Sequence, residues 1–494
     1  MEETRVEGIV FKGDDDVRGR LWGIAIMTIV FSISTIFNTS STYAEEARTI
    51  YDESIYEVFV DRYFNATNGN DYEVNTQNPA AFAGGDFIGM RDKMDYIVDL
   101  GFTTAAIGSV FSTETYDGSR ITSYETIERH FGTAQELQQL INTFKERHIR
   151  TMIDWRLNHV SSHHEWAIEH PEWVNEQQNG SITWDYTNEA FIAALTEAVR
   201  NMQATYNAGA IRLTQMEDVP ADVVATLIAS IREQTEDVQI VITSDKDVDA
   251  DAVIRMGDVE QWGTMFQTTG QSTAILPQLI ALQTPATIAA VDTLETERLT
   301  YKAAEQNAFP PTRIKVAMGA LLTMPTVPLM TYGTEISMNG HDATTSHQIQ
   351  NFKVEEEIIG YIQDVQKIRN QSAALRTGDF EILTNKDGFI VFKRWNNEEQ
   401  WIVAINNTSE TQRVQIPIDE IGNDKQLLGL FEKDIVRQDE DGYYSVVIDR
   451  EIVELYQVKD DEGFNIAYMI MMALVYLIFL AFIWALLRRG KKRS

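Results

Sequence analysis

From Ile55 onward, short apolar runs alternate with stretches whose apolar residues recur at helical spacing. Ile88 to Leu100 reads as a helix stopped by Gly101, and Thr103 to Ile107 as the strand that follows. Thr133 and Glu136 have the spacing of a capping box, ahead of a helix whose apolar face is Leu137, Leu140, Ile141 and Phe144. Ile149 to Ile153 reads as a strand, which sets Asp154 to His159 at its C-terminal end. A polar insertion over 160–184 precedes a helix from Ala190 to Tyr206 and a strand closing on Arg212 and Thr214. Strand-then-helix repetition of this kind predicts a parallel sheet covered by helices, an α/β class. Past Arg376 the period falls to two, as in Gly388 to Trp395 and Trp401 to Ile405, and predicts an antiparallel sandwich over 376–458.

The last apolar run, Ile466 to Leu487, carries no charge and has the length of a membrane-crossing helix of about 20 residues. A span over 464–487 is expected, and the basic tail 488–494 is then cytoplasmic, with everything earlier outside the cell. Near the start, Leu21 to Phe37 is a shorter apolar run behind Arg18 and Arg20. Thr42-Tyr43-Ala44 follows as a small-residue cleavage site, so residues 1–44 are read as a signal peptide or a retained N-terminal membrane segment. Either way the large domain is extracellular.

A net charge of −33 repels phosphate backbones and excludes nucleic acid as a partner class. With no cysteine, disulfides and thiolate metal sites are excluded too. His159, His163, His164 and His170 cluster in the insertion at no zinc spacing, and read as a solvated loop. Trp155, Trp166, Trp173 and Trp184 share that stretch and read as packing for the insertion.

The motifs Ile55 to Phe64, Gly84-Gly85-Asp86, Phe131-Gly132-Thr133, Asp154 to His159, Ala208 to Thr214 and Val291 to Arg298, in this order, resemble the alpha-amylase family of glycoside hydrolases. The resemblance implies a (β/α)8 TIM barrel over 45–375 with a short insertion, followed by the sandwich. It also implies a retaining site, in which one carboxylate attacks the sugar and another, about 5–5.5 Å away, protonates the leaving oxygen. At the position of the attacking carboxylate this chain has Thr214. The acid falls on Ser244 in one registration and on Asp245 in the register shifted by one. The third carboxylate becomes Glu295, with Leu294 in place of a histidine, and the tyrosine that floors the sugar site becomes Ser119, with Arg120 next to it as a cation where the glucose would sit. Asp154, Asn158, His159, Arg212 and Arg298 are retained and are the expected binding residues.

The resemblance further implies calcium, at a loop of Asn65, Asn70, Asp71, Gly84 and Asp86, and at a second set of Asn158, Asp185 and Asp218. The leading functional expectation is a membrane-anchored, extracellular, catalytically inactive protein that binds a glycan or a membrane-protein partner. An active alpha-glucan hydrolase or transferase working through Glu217, Asp218, Asp245 and Glu295 is one alternative. A structural subunit of a membrane complex is the other.

Overall fold

The structure is a computed structural model that describes residues 48–235, 237–281, 284–354, 357–461 and 466–491. The chain divides into two units, Met1–Arg48 and Thr49–Ser494. The expected signal segment, with its cleavage site, lies outside the described residues.

Eight parallel strands close a barrel: β1 (Ile55–Glu57), β2 (Thr104–Ala106), β3 (Arg150–Arg156), β4 (Ala210–Thr214), β5 (Gln239–Thr243), β6 (Ala252–Ile254), β7 (Ala286–Ala289) and β8 (Val327–Thr331). Each pairs with its sequence neighbours and β1 pairs with β8, so no strand edge stays open. The expected helices lie between them. Thr133 and Glu136 form the capping box of Ala134–Glu146, whose Leu137, Leu140, Ile141 and Phe144 are buried. Gly101, at φ 87°, ends Met94–Leu100 in the left-handed conformation that glycine adopts without strain. One departure from the (β/α)8 expectation falls between β5 and β6, where residues 244–251 form a loop without a helix. Asp251 stands in for the missing helix there, accepting from the Ile240 amide at 2.6 Å and tying the loop back to β5.

The insertion forms a small antiparallel sheet, with Ser181–Trp184 between Val160–Ser161 and Val174–Gln178. Trp166, Trp173 and Trp184 are buried against Phe191 of the helix Glu189–Tyr206, which bears out the packing reading of the tryptophans.

The C-terminal domain has a six-stranded antiparallel sheet and a two-stranded one, Gln412–Pro417 with Tyr443–Ile448. In the central strands Phe389–Trp395 and Gln400–Asn406, Phe389, Val391, Ile402 and Ala404 join the domain's own core. Their neighbours Ile390, Phe392, Val403 and Ile405 join the cluster shared with the barrel. Successive side chains point to opposite faces, so these strands are apolar on both faces because both are covered.

The final apolar run forms one helix, Ile466–Lys491, with exposed side chains such as Leu474, Leu477, Ile478 and Phe482. Among the described residues, no helix is long and apolar enough to cross a membrane.

Candidate functional site

Strand register decides what faces the barrel mouth. On β3 and β4, Asp154 pairs with Arg212 and Arg156 with Thr214, and alternate residues of a strand share a face. Glu57 at the end of β1 pairs with Thr331 of β8. These strand ends, with loop residues after β2, β7 and β8, line a cavity of about 270 Å³. Its polar lining includes Glu57, Asp117, Asp154, Arg156, Arg212 and Glu295, and its apolar wall includes Phe59, Ile254, Met256 and Leu294. Thr214 lies in the lining with 9% of its surface exposed.

Arg212 is held from two sides. Its Nε and Nη2 donate to the two carboxylate oxygens of Asp154 at 2.7 and 2.6 Å, and its Nη1 to Glu57 Oε1 at 2.5 Å. Burial works against the charge on Arg212, yet the two carboxylates hold its pKa above the ordinary arginine value. Glu57 is 2% exposed, and its Oε2 also accepts from the Leu294 amide at 3.0 Å and the Thr331 hydroxyl at 3.3 Å. The Leu294 carbonyl accepts from His347 Nε2 at 2.7 Å. Nε2 therefore carries the ring proton, and Nδ1 accepts from the Tyr116 hydroxyl at 2.8 Å. Burial pushes His347 down to about 4, so the ring is neutral near pH 7. Glu57 and His347 thus pin Leu294 from its two backbone sides and fix the loop that carries Glu295.

The other two carboxyls differ from each other. Desolvation works to raise the pKa of Asp117, but hydrogen bonds from Thr115 and Ser119 bring it below the usual value. Its Oδ1 accepts from the Ser119 amide at 3.0 Å and hydroxyl at 2.8 Å. Glu295 has its pKa raised, first by desolvation, with Arg156 and Arg212 opposing. Its side chain is open to solvent at the cavity mouth. Opposite, Arg156 has a buried Nε without a hydrogen-bond partner. Burial pulls the Arg156 pKa down, and the fields of Glu295 and Asp117 oppose it.

Several expected residues are placed elsewhere. Ser244 Oγ accepts from the Lys246 amide, and the Asp245 side chain is 88% exposed, 3.8 Å from Arg255; β5 supplies only Thr243 to the lining. Arg120 is not the cation of the pocket: it donates to the Asn179 carbonyl at 3.0 Å, in the insertion. Beside the paired Arg212, the cation with an unpartnered nitrogen in the lining is Arg156, within the motif Asp154 to His159. Asn158 Oδ1 accepts from the Trp184 amide at 3.0 Å and ties the insertion to β3. His159 is exposed at φ 58°, and Arg298 is buried, donating to the Ser346 carbonyl at 3.0 Å near Asp292. Of the five expected binding residues, Asp154 and Arg212 line the cavity. Glu217 and Asp218 are exposed outside it.

The two expected calcium sets were tested by what their oxygens do. Asp86 accepts from the amides of Ala66, Thr67 and Gly89, and Asn65 Nδ2 donates to Asp71 at 2.9 Å. Asn70 Oδ1 is buried without a hydrogen-bond partner. In the second set, Asp185 accepts from Thr187 and Asn158 from Trp184. Among the described residues no group of three or more His, Cys, Asp or Glu side chains is placed to hold a metal ion.

Comparison with known proteins agrees with this architecture. Residues 57–208 match the family model of the alpha amylase catalytic domain and residues 378–456 that of the alpha-amylase C-terminal domain. The first match ends just before β4, the strand of Arg212 and Thr214. A beta/alpha-amylase of Paenibacillus polymyxa is 23% identical over 456 residues, covering 82% of this chain and 37% of that protein. A cyclomaltodextrin glucanotransferase of Niallia circulans is 27% identical over 175 residues, covering 32% of this chain and 24% of that protein. The chain thus spans well under half the length of these curated relatives. Among solved structures, an Anoxybacillus alpha-amylase superposes with a TM-score of 0.80 at 29% identity, covering 84% of this chain and 100% of that one. An alpha-amylase from Geobacillus thermoleovorans, solved with acarbose, gives 0.78 at 28% identity, covering 84% and 99%.

Proposed function

For a chain that carries the catalytic-domain fold and the C-terminal domain of the alpha-amylase family, we propose a glycan-binding protein that holds a sugar end at the barrel mouth without cleaving it. The relatives named above are amylases and a glucanotransferase, so a carbohydrate ligand is the reading closest to them. The supporting observation is how the carboxyls of the cavity are committed. Glu57 and Asp154 are both bound to Arg212, Asp117 is held by Ser119, and Thr214 is neutral. Only Glu295 is free of such a partner, and a retaining displacement needs two working carboxyls. A threonine hydroxyl needs an adjacent base to become a nucleophile, and the residue paired with Thr214 across β3 is the cation Arg156.

Calorimetric titration of the purified chain with maltotriose, with chromatography of the same samples, tests this reading. Saturable heat with intact maltotriose is expected. Glucose or maltose appearing in amounts that fall in Glu295→Gln would instead establish the active alternative. The C-terminal helix, with its basic end, is proposed as a membrane anchor for an extracellular domain. Carbonate-resistant membrane association lost on deletion of 464–494 is the expected result, and unchanged association would refute it. We propose calcium only as a weak ligand at Asn70 Oδ1, so adding a chelator is expected to shift Tm by about 2 °C or less.

A further inference from the structure

Resting on the pocket reading, we infer that the cavity selects a sugar ring bearing a carboxylate, a uronic-acid type of residue, and that Arg156 is the group that reads it. The register sets Arg156 directly beside Thr214. Where the family resemblance implies an anion, the pocket therefore presents a neutral hydroxyl and a guanidinium. That guanidinium has donors to spare: its Nε is buried without a partner, in contrast to Arg212, whose three donor nitrogens are all engaged. A guanidinium left unpaired in a partly desolvated cavity is costly, and a bidentate carboxylate is the ligand that suits its planar fork best.

The neighbouring acids permit this. Glu57 and Asp154 are neutralised in part by Arg212, and Asp117 is turned toward Ser119. Glu295 is the acid left facing Arg156, and its raised pKa lets it take up a proton and donate to the incoming carboxylate. The groups whose fields reach Glu295 are Arg156 and Arg212, which favour its ionised form, and Glu57 and Asp154, which oppose it. His347, pushed down to about 4, adds no charge above that pH. Binding of the anion is thus coupled to proton uptake and tightens as pH falls. A cavity of about 270 Å³ with Phe59, Met256 and Leu294 on its wall has room for one ring and not a chain, near the lower limit for ligand sites.

The test is calorimetry on the full chain with methyl α-D-glucuronide and methyl α-D-glucoside at pH 5.5 and 7.5. The uronide is expected to bind about tenfold or more tighter at pH 5.5, with its advantage shrinking at pH 7.5. Arg156→Gln should remove that advantage, weakening the uronide far more than the glucoside, while Arg156→Lys keeps the charge without the planar fork and retains only part of it. Glu295→Gln should keep the preference and flatten its pH dependence. Equal affinities for the two probes, or an Arg156→Gln effect equal on both, would overturn the inference and leave the pocket reading standing. Failure of both probes to bind would overturn both. If Arg156→Gln does not fold, the preference of the unaltered chain and its reduction in Arg156→Lys decide.

Discussion

Arg212 is bound on both sides by carboxylates at the barrel mouth. Its two counter-ions come from different strands, and Glu57 also fixes Leu294 through a second oxygen. Glu57→Gln cannot serve both: with Oε1 on Arg212, its amide nitrogen faces the Leu294 N–H, donor against donor. That variant is expected to lose about 2 kcal/mol, read as a drop of several degrees in Tm, and to weaken maltotriose binding through the loosened Glu295 loop. An unchanged Tm would remove Glu57 from this role. Arg212, Asp154 and Thr214 were legible in the sequence because they follow one another along two strand ends inside strong motifs. Glu57, Asp117 and His347 were not, because what joins them to the site is barrel closure and loop packing between residues far apart in sequence. Arg156 was in plain view within Asp154 to His159. The signal for it is period two, since it shares a face with Asp154.

Elements followed the sequence more closely than residues did. Helices with a cap and a clear apolar stripe, such as Ala134–Glu146, stand where the pattern put them, and so do the C-terminal strands. The link between β5 and β6 did not follow, since residues 244–251 have too few positions for a packed helix and are instead tied down by Asp251. This keeps Ser244 and Asp245 out of the cavity lining. The insertion is polar in sequence apart from its tryptophans, and its short sheet is edged by tryptophans whose partners lie on the helix Glu189–Tyr206. Trp166→Ala is expected to cost about 3–5 kcal/mol and to lower Tm, while sugar affinity stays within about twofold because Trp166 does not line the cavity. A large loss of affinity at unchanged Tm would contradict that assignment.

At the scale of the whole molecule, charge is the dominant condition. With a net charge of −33, raising the pH adds to self-repulsion, and several buried acids add to it locally. Asp61, buried beside Arg62, is pushed up to about 6 by desolvation, and desolvation also raises Glu335, Asp292 and Glu454. A carboxyl whose folded pKa is raised contributes stability that is full below its unfolded value and is lost as pH rises through the folded one. For Asp61 that loss falls between about pH 4 and 6. Asp52, Asp117 and Glu399 are shifted the other way and favour the fold above the ordinary carboxylate range. The expected balance is a Tm a few degrees higher at pH 5.5 than at pH 7.5, with the gap narrowing in 0.5 M salt, as scanning calorimetry would show. A Tm that rises toward pH 7.5 would contradict this balance.

The central claim is that an amylase-type barrel here retains a sugar pocket and lacks the pair of working carboxyls for displacement. Its most direct test is the intact mass of the chain after long incubation with 5-fluoro-α-D-glucosyl fluoride, a probe that traps a glycosyl–enzyme bond. The account predicts an unmodified mass together with saturable binding of maltotriose by the same sample. A stoichiometric adduct mapped to Glu295 or Asp117 would contradict it.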